Sequence, residues 1–456
     1  MIIANMGTTC DVRIRNYKHM KRMDNQNLLS RQKELLVSRT DMNLPPLRSD
    51  VEMIPVTHEN KELIYFHDPQ GYMVNPFVLE RQIAALLPLL NGSYSIDEIL
   101  TELKRYGSDV DKDQLLAFIR QLDEARLLLS PWFRFYKTET EKKFEQADVR
   151  PAVCTGNSYP AGEEELKDFL KNAFEKFSKT GPQKGANGED TGNRGNRIKA
   201  LFAPHIDPRV GLMSYVPAFD PLKEISPRRI VMLATSHYAG MHYPLYDGKP
   251  FIATRKAFET PLGRVDADNE AMDILEKHSE ATGCSFSDRA HRNEHSIELH
   301  LIFLQYLWSH SFEIVPLLVD SFEELYYKPD GDTGKKVDNM AALLAELFDD
   351  DDTLFLISGD LSHIGKKFGD SEPASGLFDK VRQFDRHFLD HACNAEKEKL
   401  LRLVGEDYDP YRICGFPPLY TALSSLQGIK GETTSYEIWD ERERDSAVTF
   451  GSVLYR

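Results

Sequence analysis

Cysteine is scarce in this sequence. The 456 residues include only Cys10, Cys154, Cys284, Cys393 and Cys414, and no two of them form a C-x-x-C pair. Wide spacing and an odd number exclude both a disulfide framework and a zinc module built from paired cysteines. Free thiols persist in a reducing compartment, so we predict a cytoplasmic protein.

Long apolar runs and an excess of basic charge are also missing. No run approaches the ~20 apolar residues of a membrane-spanning helix, and the first six residues are too few for a signal peptide. The 72 acidic side chains outnumber the 56 arginines and lysines, which gives a formal net charge of −16. Such a chain suits neither a phosphate backbone nor an anionic lipid surface. We therefore predict neither a nucleic acid nor a membrane as a partner.

The length and a hydrophobic content of 41% are sufficient for two domains with cores of their own. Residues 1–48 lack an apolar period and are predicted to be a flexible arm. We assign residues 49–131 to a small domain, residues 132–149 to a polar linker with helical propensity, and residues 150–456 to the main domain. The stretch 180–197, rich in glycine, asparagine and charge, is predicted to be a surface loop of the main domain.

Residues 49–131 carry the pattern of a hairpin followed by three helices. Short strands are predicted at 53–56 and 62–66, and helices from Pro76 to Leu90, from Ser95 to the glycine at 107, and from Asp111 to Leu129. Ser95 and Glu98 have the spacing of a capping box. The pattern resembles PqqD-like winged-helix domains, which bind peptides, so a peptide or protein partner is expected here. Acidic residues outnumber basic ones over 75–130, which disfavours DNA, and a structural or dimerising cap remains an alternative.

The main domain alternates apolar runs typical of buried strands with amphipathic helices. This pattern predicts an α/β fold with a mixed, largely parallel sheet flanked by helices. Three polar motifs directly follow such runs: APHID at 203–207, TSHY at 235–238 and SGDLSH at 358–363. Because the carboxyl ends of parallel strands meet at one edge of a sheet, the motifs are expected to converge there.

His205 and His237 follow successive strands that are separated by one β-α crossover, and we expect these strands to be neighbours. Imidazole is the commonest ligand of first-row transition metals, so the pair suggests a metal site. A third ligand has to come from elsewhere. Cys414, in the motif ICG at 413–415, lies before a predicted helix, where the thiolate is favoured and suits metal binding or nucleophilic chemistry. A buried structural thiol is the alternative.

Asp360 and His363 form a second pair. The carboxylate is close enough in sequence to hydrogen-bond the imidazole and fix its tautomer, as in a general acid/base. The alternative is that Asp360 caps a following helix.

The segment HRNEH at 291–295 matches a zinc-peptidase pattern, with His291 and His295 as ligands on one helical face and Glu294 as the base. We expect this segment to open a buried helix from Glu294 to Trp308. In the second interpretation, His295 and Glu298 reach the cleft as substrate-binding or supporting groups.

Together these motifs identify a family resemblance. The chain from Arg150 to the C-terminus resembles the Memo family, also called AmmeMemoRadiSam system protein B. The matching pieces are RPAV…G…YP at 150–160, APH at 203–205, TSHY at 235–238, EHSIE at 294–298, SGDLSH at 358–363 and ICG at 413–415.

The resemblance implies a fold like that of class III extradiol dioxygenases and a metal site of two histidines and one cysteine, here His205, His237 and Cys414. It implies iron or copper as the metal, redox activity, and His363 as the acid/base. The spacing of the second pair adds Asp360 as the group that orients His363. A small-molecule or peptide substrate is expected, and animal members have been associated with phosphopeptide binding.

One motif departs from the family. Members usually continue Pro-His with Ala-Gly and an aromatic residue, whereas this chain has Ile206, Asp207 and Pro208. Asp207 is therefore a candidate extra oxygen ligand or substrate contact, and Tyr238 is a further candidate in the cleft. Three hypotheses follow: a metal-dependent redox enzyme that is dioxygenase-like, a non-catalytic peptide- or partner-binding protein of the same fold, and a zinc peptidase.

Overall fold

The computed structural model describes residues 42–73, 75–180 and 197–456. It divides into two compact units, Met1–Lys143 and Phe144–Arg456. Most of the predicted flexible arm and nearly all of the predicted surface loop at 180–197 lie outside the described residues.

The first unit contains a three-stranded antiparallel sheet in the order β1-β2-β3 and short helices. Its elements are β1 (Glu52–His58), β2 (Lys61–His67), β3 (Phe77–Glu80), α1 (Arg81–Ala84), a 3-10 turn (Leu87–Leu89), α2 (Ile96–Arg105) and α3 (Lys112–Glu124). The hairpin was predicted correctly. The helix expected from Pro76 was wrong, because residues 77–80 pair with β2 as a third strand.

The N-termini of α2 and α3 show how local sequence sets these helices. The Ser95 hydroxyl accepts the N–H of Glu98, and the Glu98 carboxylate accepts the N–H of Ser95. Asp111 and Gln114 form the same reciprocal pair at α3. Such capping boxes satisfy backbone donors that a helix cannot satisfy internally. Helix α4 (Pro131–Glu145) follows and covers most of the predicted linker.

Over the part of the chain that the structure describes, the second unit contains a nine-stranded main sheet and a separate three-stranded sheet. Its strands are β4 (Val149–Arg150), β5 (Ala200–Ala203), β6 (Arg229–Thr235), β7 (Phe251–Ala253), β8 (Ala257–Thr260), β9 (Gly263–Val265), β10 (Cys284–Ser285), β11 (Glu313–Val319), β12 (Thr353–Ser358), β13 (His363–Gly365), β14 (Gly431–Glu441) and β15 (Ser446–Tyr455). Its helices are α5 (Glu163–Thr180), α6 (Pro208–Phe219), α7 (Asn269–Lys277), α8 (Ser279–Thr282), α9 (Glu298–Leu307), α10 (Glu323–Tyr327), α11 (Asp332–Phe348), α12 (Phe378–Cys393), α13 (Lys397–Gly405) and α14 (Phe416–Ser425).

In the described residues the main sheet has the order β10-β7-β11-β6-β12-β5-β15-β13, with β14 paired to β15, and the separate sheet has the order β4-β8-β9. The central strands β11, β6, β12 and β5 are parallel, while β15 runs antiparallel to β5 and β7 antiparallel to β11. The predicted mixed, largely parallel sheet is therefore confirmed. The expectation that β5 and β6 are neighbours is wrong, because β12 lies between them.

Alternate side chains of the central strands enter two separate cores. Leu201, Met232 and Leu356 belong to the core that contains side chains of α5, α6 and α9. Phe202, Leu233 and Phe355 belong to the core that contains side chains of α11, α12 and α14. Helices therefore cover both faces, which is the arrangement that makes parallel strands apolar along their whole length.

The buried helix expected from Glu294 begins at Glu298 instead. The Glu294 carboxylate accepts the N–H groups of His295 and Ser296, and this local bonding competes with a helical backbone. The carbonyl of Glu294 accepts a hydrogen bond from Arg150, so it is not available to a helix either.

No helix of the described residues is both long enough and apolar enough to cross a membrane.

Candidate metal centre

The polar motifs converge beyond the carboxyl ends of the parallel strands. The ring of His205, after β5, lies 4.9 Å from the ring of His237, after β6. His295, in the loop before α9, lies 5.1 Å from His205 and 4.7 Å from His237, centroid to centroid. One potential ligand atom from each of the three histidines lies within 4.8 Å of the others. Imidazoles so close together form a typical transition-metal donor set.

The tautomer of His205 follows from its partners. Its Nδ1 lies 3.0 Å from the hydroxyl of Ser358, and that hydroxyl donates its proton to the carbonyl of Ser296. The Ser358 oxygen must therefore accept Nδ1–H of His205, which leaves Nε2 with a free lone pair. Burial lowers the pKa of His205 well below its usual value, so the ring is neutral at pH 7. A neutral imidazole with a free Nε2 is the form that binds metals.

His237 is held by a carboxylate. Its Nδ1 lies 2.9 Å from Oε1 of Glu294, and its backbone N–H donates to Oε2 at 2.7 Å. Burial alone lowers the pKa of His237, but the Glu294 carboxylate and the Cys414 thiol outweigh it and raise the pKa. Burial alone raises the pKa of the Glu294 carboxyl, but the charge and hydrogen bonds of His237, together with His295, outweigh it and hold the pKa well below its usual range. A carboxylate that binds Nδ1–H and directs Nε2 outward is the usual support of a metal-binding histidine.

Cys414 brings a thiol to the same position. Its Sγ lies 3.4 Å from Nε2 of His205, across 209 residues of sequence, and the Asp360 N–H donates to it at 3.3 Å. The close contact between the segment after β12 and the segment that carries Cys414 depends on two glycines that face each other. A Cβ built on Gly359 would lie only 2.1 Å from the Cα of Gly415, so there is no room for a side chain at Gly359.

Asp360 does not orient His363. Its Oδ1 accepts the N–H groups of His205 and Ile206, and its Oδ2 lies 3.8 Å from Nε2 of His205. Nor does it cap a helix, because β13 follows it. Burial raises the pKa of Asp360 to about 7, although these hydrogen bonds oppose the rise. The carboxylate therefore fixes the backbone that carries the first candidate ligand.

His363 is oriented by backbone carbonyls instead. Its Nδ1 lies 3.1 Å from the carbonyl of Leu361 and 3.0 Å from that of Arg412. Two acceptors at Nδ1 require a proton on that atom, so Nε2 is the acceptor. Burial lowers the pKa of His363 to about 4, and the ring is neutral at pH 7.

The zinc-peptidase geometry is not formed. Residues 292–297 are not helical, so His291 and His295 do not share a helical face. The Nε2 of His291 bonds the carbonyl of Ile252, and burial lowers the pKa of this ring to about 3. The carboxylate of Glu294 is fully engaged by His237 and backbone N–H groups, so it does not serve as a free base.

The remaining candidates support the site rather than complete it. Glu298 is fully buried and accepts hydrogen bonds from Arg150, Tyr159 and the backbone of Val153 and Cys154. Asp207 caps α6 through the N–H of Arg209. The ring of Tyr238 packs against His237 at a centroid distance of 6.3 Å.

Sequence reasoning missed the supporting roles of Ser358, Glu294 and Arg150. Ser358 is the last residue of the apolar strand β12, and that position was the only local signal for its contact with His205. Arg150 is fully buried and donates to the carbonyls of His291 and Glu294 as well as to Glu298. Nothing local in the sequence connects it to segments about 140 residues away.

The donor chemistry fits the implied metal. His205 presents a neutral imidazole with a free Nε2, a thiol lies beside it, and both His205 and His237 have the Nδ1 proton bound by an oxygen. Because the pKa of His237 is raised, a metal would have to displace the proton on its Nε2. Mixed nitrogen and sulfur ligands of this kind suit iron, copper or zinc rather than magnesium or calcium. His205, His237 and Cys414 are the residues that would hold the ion, and His295 is the nearest additional imidazole.

Fold and site thus define an α/β protein with histidines and a thiol gathered beyond the carboxyl ends of a parallel sheet core. The model of the family described as "Memo-like protein" matches residues 150–454. The chain belongs to the Memo family.

Relatives in other organisms extend the match. A MEMO1 family protein of Aquifex aeolicus is 28% identical over 393 residues, covering 85% of this chain and 94% of the relative. The corresponding protein of Thermus thermophilus is 28% identical over 362 residues, covering 79% and 98%. One from Pyrococcus furiosus is 26% identical over 324 residues, covering 68% and 99%. The Aquifex alignment is longer than the family match and therefore reaches into the N-terminal unit.

Proposed function

We propose that this chain is a metal-dependent redox enzyme of the Memo family, with iron or copper held by His205, His237 and Cys414. One observation carries the proposal: the Sγ of Cys414 lies 3.4 Å from Nε2 of His205, and the neighbouring His237 has its Nδ1 bound by Glu294. These contacts support a site in which three donors from distant parts of the chain bind one ion.

The residues around this point have separable tasks. Ser358 and Glu294 bind the Nδ1 protons, so coordination would take place at the Nε2 atoms, and His237 would release its Nε2 proton in competition with the metal. Asp360 fixes the backbone of His205. A bound iron or copper ion would supply one-electron redox chemistry, of the dioxygenase-like kind that the resemblance implies, and a thiolate ligand would tune its potential.

His363 is the proposed proton acceptor. Carbonyls hold its Nδ1 proton, so Nε2 is free to take a proton from a substrate. Its pKa of about 4, lowered by burial, keeps the ring neutral at pH 7.

Metal content of anaerobically purified protein tests the proposal. We expect near-stoichiometric iron or copper in the unchanged chain, and its loss in Cys414→Ala and His237→Ala. The exposed His278 offers a matched control, and His278→Ala is expected to keep the metal. Metal that survives both site changes would contradict the assignment of ligands.

The alternative is a binding protein that uses the same cleft without turnover. It predicts that ligand binding survives Cys414→Ala, whereas the proposed enzyme loses its metal and its substrate affinity together. Ligand binding measured on the unchanged chain and on Cys414→Ala separates the binding-protein hypothesis from the enzyme hypothesis.

The expectation that residues 49–131 bind a peptide or protein partner stays a prediction. It is supported by strand β1, which in the described residues pairs only with β2 and so leaves one edge open. An open strand edge can accept an added peptide strand. Slower amide exchange along β1 on addition of a candidate peptide would support this role, and protection confined to the second unit would contradict it.

A further inference from the structure

A cavity of about 240 Å³ adjoins the candidate metal centre. His237 and Cys414 line it on one side. Asp320, at the end of β11, and Tyr326, on α10, line another part of its wall. A ligand in this cavity would therefore contact the metal-binding residues and these side chains at once.

One polar atom at the cavity lacks a partner. Ser236 lies between the strand end and His237 and lines the cavity, and its hydroxyl is buried. Among the described residues it has no hydrogen-bond partner. A buried hydroxyl without a partner is unfavourable, so a polar group of a ligand is expected to occupy this position.

The charge of the cavity is set by Asp320. Its carboxylate accepts the N–H of Ser321, and the other charged group near it is the acidic Glu323. Within residues 42–73, 75–180 and 197–456, no arginine, lysine or histidine pairs with it. Burial raises the pKa of Asp320, because a desolvated carboxylate without a counter-charge is unfavourable. A cationic ligand would offset that cost.

The other charged residues of the cavity are already engaged. The guanidinium of Arg412 pairs with Asp370 and donates to the carbonyl of His363. Both carboxylate oxygens of Asp409 accept the N–H of Ile413 at 3.0 Å, and the positive charge of Arg412 lies near this carboxylate. Among the described residues that line the cavity, Asp320 is therefore the carboxylate without a neighbouring cation.

Resting on the function proposed above, we propose that the substrate of this site carries an organic cation, an ammonium or guanidinium group, which Asp320 binds. Its other end reaches the metal beside His237 and Cys414. The aromatic ring of Tyr326 adds a surface that favours cations. Ser236 offers a hydrogen bond to a polar group that lies between the cationic end and the metal-facing end of the substrate.

Three small catechols test the charge preference, because they share one metal-chelating end and differ in the other. They are dopamine, which is cationic, 4-methylcatechol, which is neutral, and 3,4-dihydroxyphenylacetate, which is anionic. Each is titrated anaerobically into the full chain loaded with ferric iron. The charge-transfer absorption of the iron–catechol complex reports contact with the metal, and calorimetry reports binding whether or not iron is present.

We expect dopamine to bind at least about tenfold more tightly than 4-methylcatechol, and the acid to bind most weakly. Asp320→Asn is expected to abolish this order while leaving 4-methylcatechol binding and iron content unchanged. Asp379→Asn removes the same charge at a fully exposed position, and it is expected to keep the preference.

The outcomes separate this inference from the proposed function. Equal binding of the three probes, or tighter binding of the acid, with iron bound, overturns the cationic substrate and leaves the metal site intact. Bound iron without a charge-transfer band for any probe overturns the inference, because the cavity then does not open onto the metal. Failure to bind either iron or copper contradicts the proposed function, and calorimetric binding of dopamine by wild type and Asp320→Asn still decides the role of Asp320.

Discussion

The Nδ1 of His237 lies 2.9 Å from Oε1 of Glu294, and the backbone N–H of His237 donates to the second oxygen of the same carboxylate. One side chain therefore fixes both the ring and the backbone of a candidate ligand. Glu294 precedes His295 and also binds the N–H groups of His295 and Ser296. It thus links the loop of His237 to the loop of His295.

Glu294→Gln is expected to weaken metal binding about 10- to 100-fold, because an amide binds Nδ1–H less strongly and lacks the charge that supports the ring. Competition with a chelator of known affinity measures the change. Glu437→Gln makes the same replacement at an exposed position of β14 and is expected to leave affinity unaltered. Equal affinity of both variants would show that Glu294 does not support the ligand.

Ser358→Ala is expected to lower the free energy of unfolding by about 1–3 kcal/mol. The change leaves Nδ1 of His205 and the carbonyl of Ser296 without their buried partner. Urea unfolding measures the change in stability. Metal affinity should fall as well, because the tautomer of His205 is no longer fixed.

Ser178→Ala is the matched control for this change. The hydroxyl of Ser178 bonds a carbonyl within its own helix α5, so its removal should change stability little. If Ser358→Ala is no more costly than Ser178→Ala, the assigned role of Ser358 is wrong.

Gly359→Ala is expected to cost at least about 2 kcal/mol of stability and to displace Cys414, because the new Cβ would lie 2.1 Å from the Cα of Gly415. Thermal unfolding and metal content are the measurements. A Cβ added at Gly240 would have no atom within 4 Å. The free energy of unfolding of Gly240→Ala should therefore stay within about 0.5 kcal/mol of that of the unchanged chain. Full metal loading of Gly359→Ala would show that the two loops can separate without disturbing the thiol.

Arg150→Met is expected to lower the free energy of unfolding by about 3–5 kcal/mol, because it leaves the buried Glu298 carboxylate without its cation. Combining it with Glu298→Gln should recover part of that loss, since no buried charge then remains. Both are measured by denaturant unfolding. A loss in the double variant as large as in Arg150→Met would contradict the charge-based explanation.

Lys167→Met breaks an ion pair with Glu163 at the surface and provides a comparison. Solvent screens such pairs, so stability should hardly change.

Much of the fold could be predicted because its signals are local. The apolar runs at β5, β6 and β12 and the capping box at Ser95 depend on neighbouring residues alone. The errors arose where distant contacts decide the outcome. Residues 77–80 became a strand because β2 pairs with them, and α9 began late because Arg150 and the Glu294 side chain bind the backbone at its expected start.

The sequence by itself determined that His205, His237 and Ser358–His363 follow buried strands, and parallel strands bring such positions to one edge of a sheet. Only the tertiary structure decided that β12 lies between β5 and β6 and that Gly359 meets Gly415. It also decided that Cys414 reaches His205 across 209 residues and that Glu294 binds His237. These contacts depend on strand order and on close packing between distant segments, which no local pattern of residues encodes.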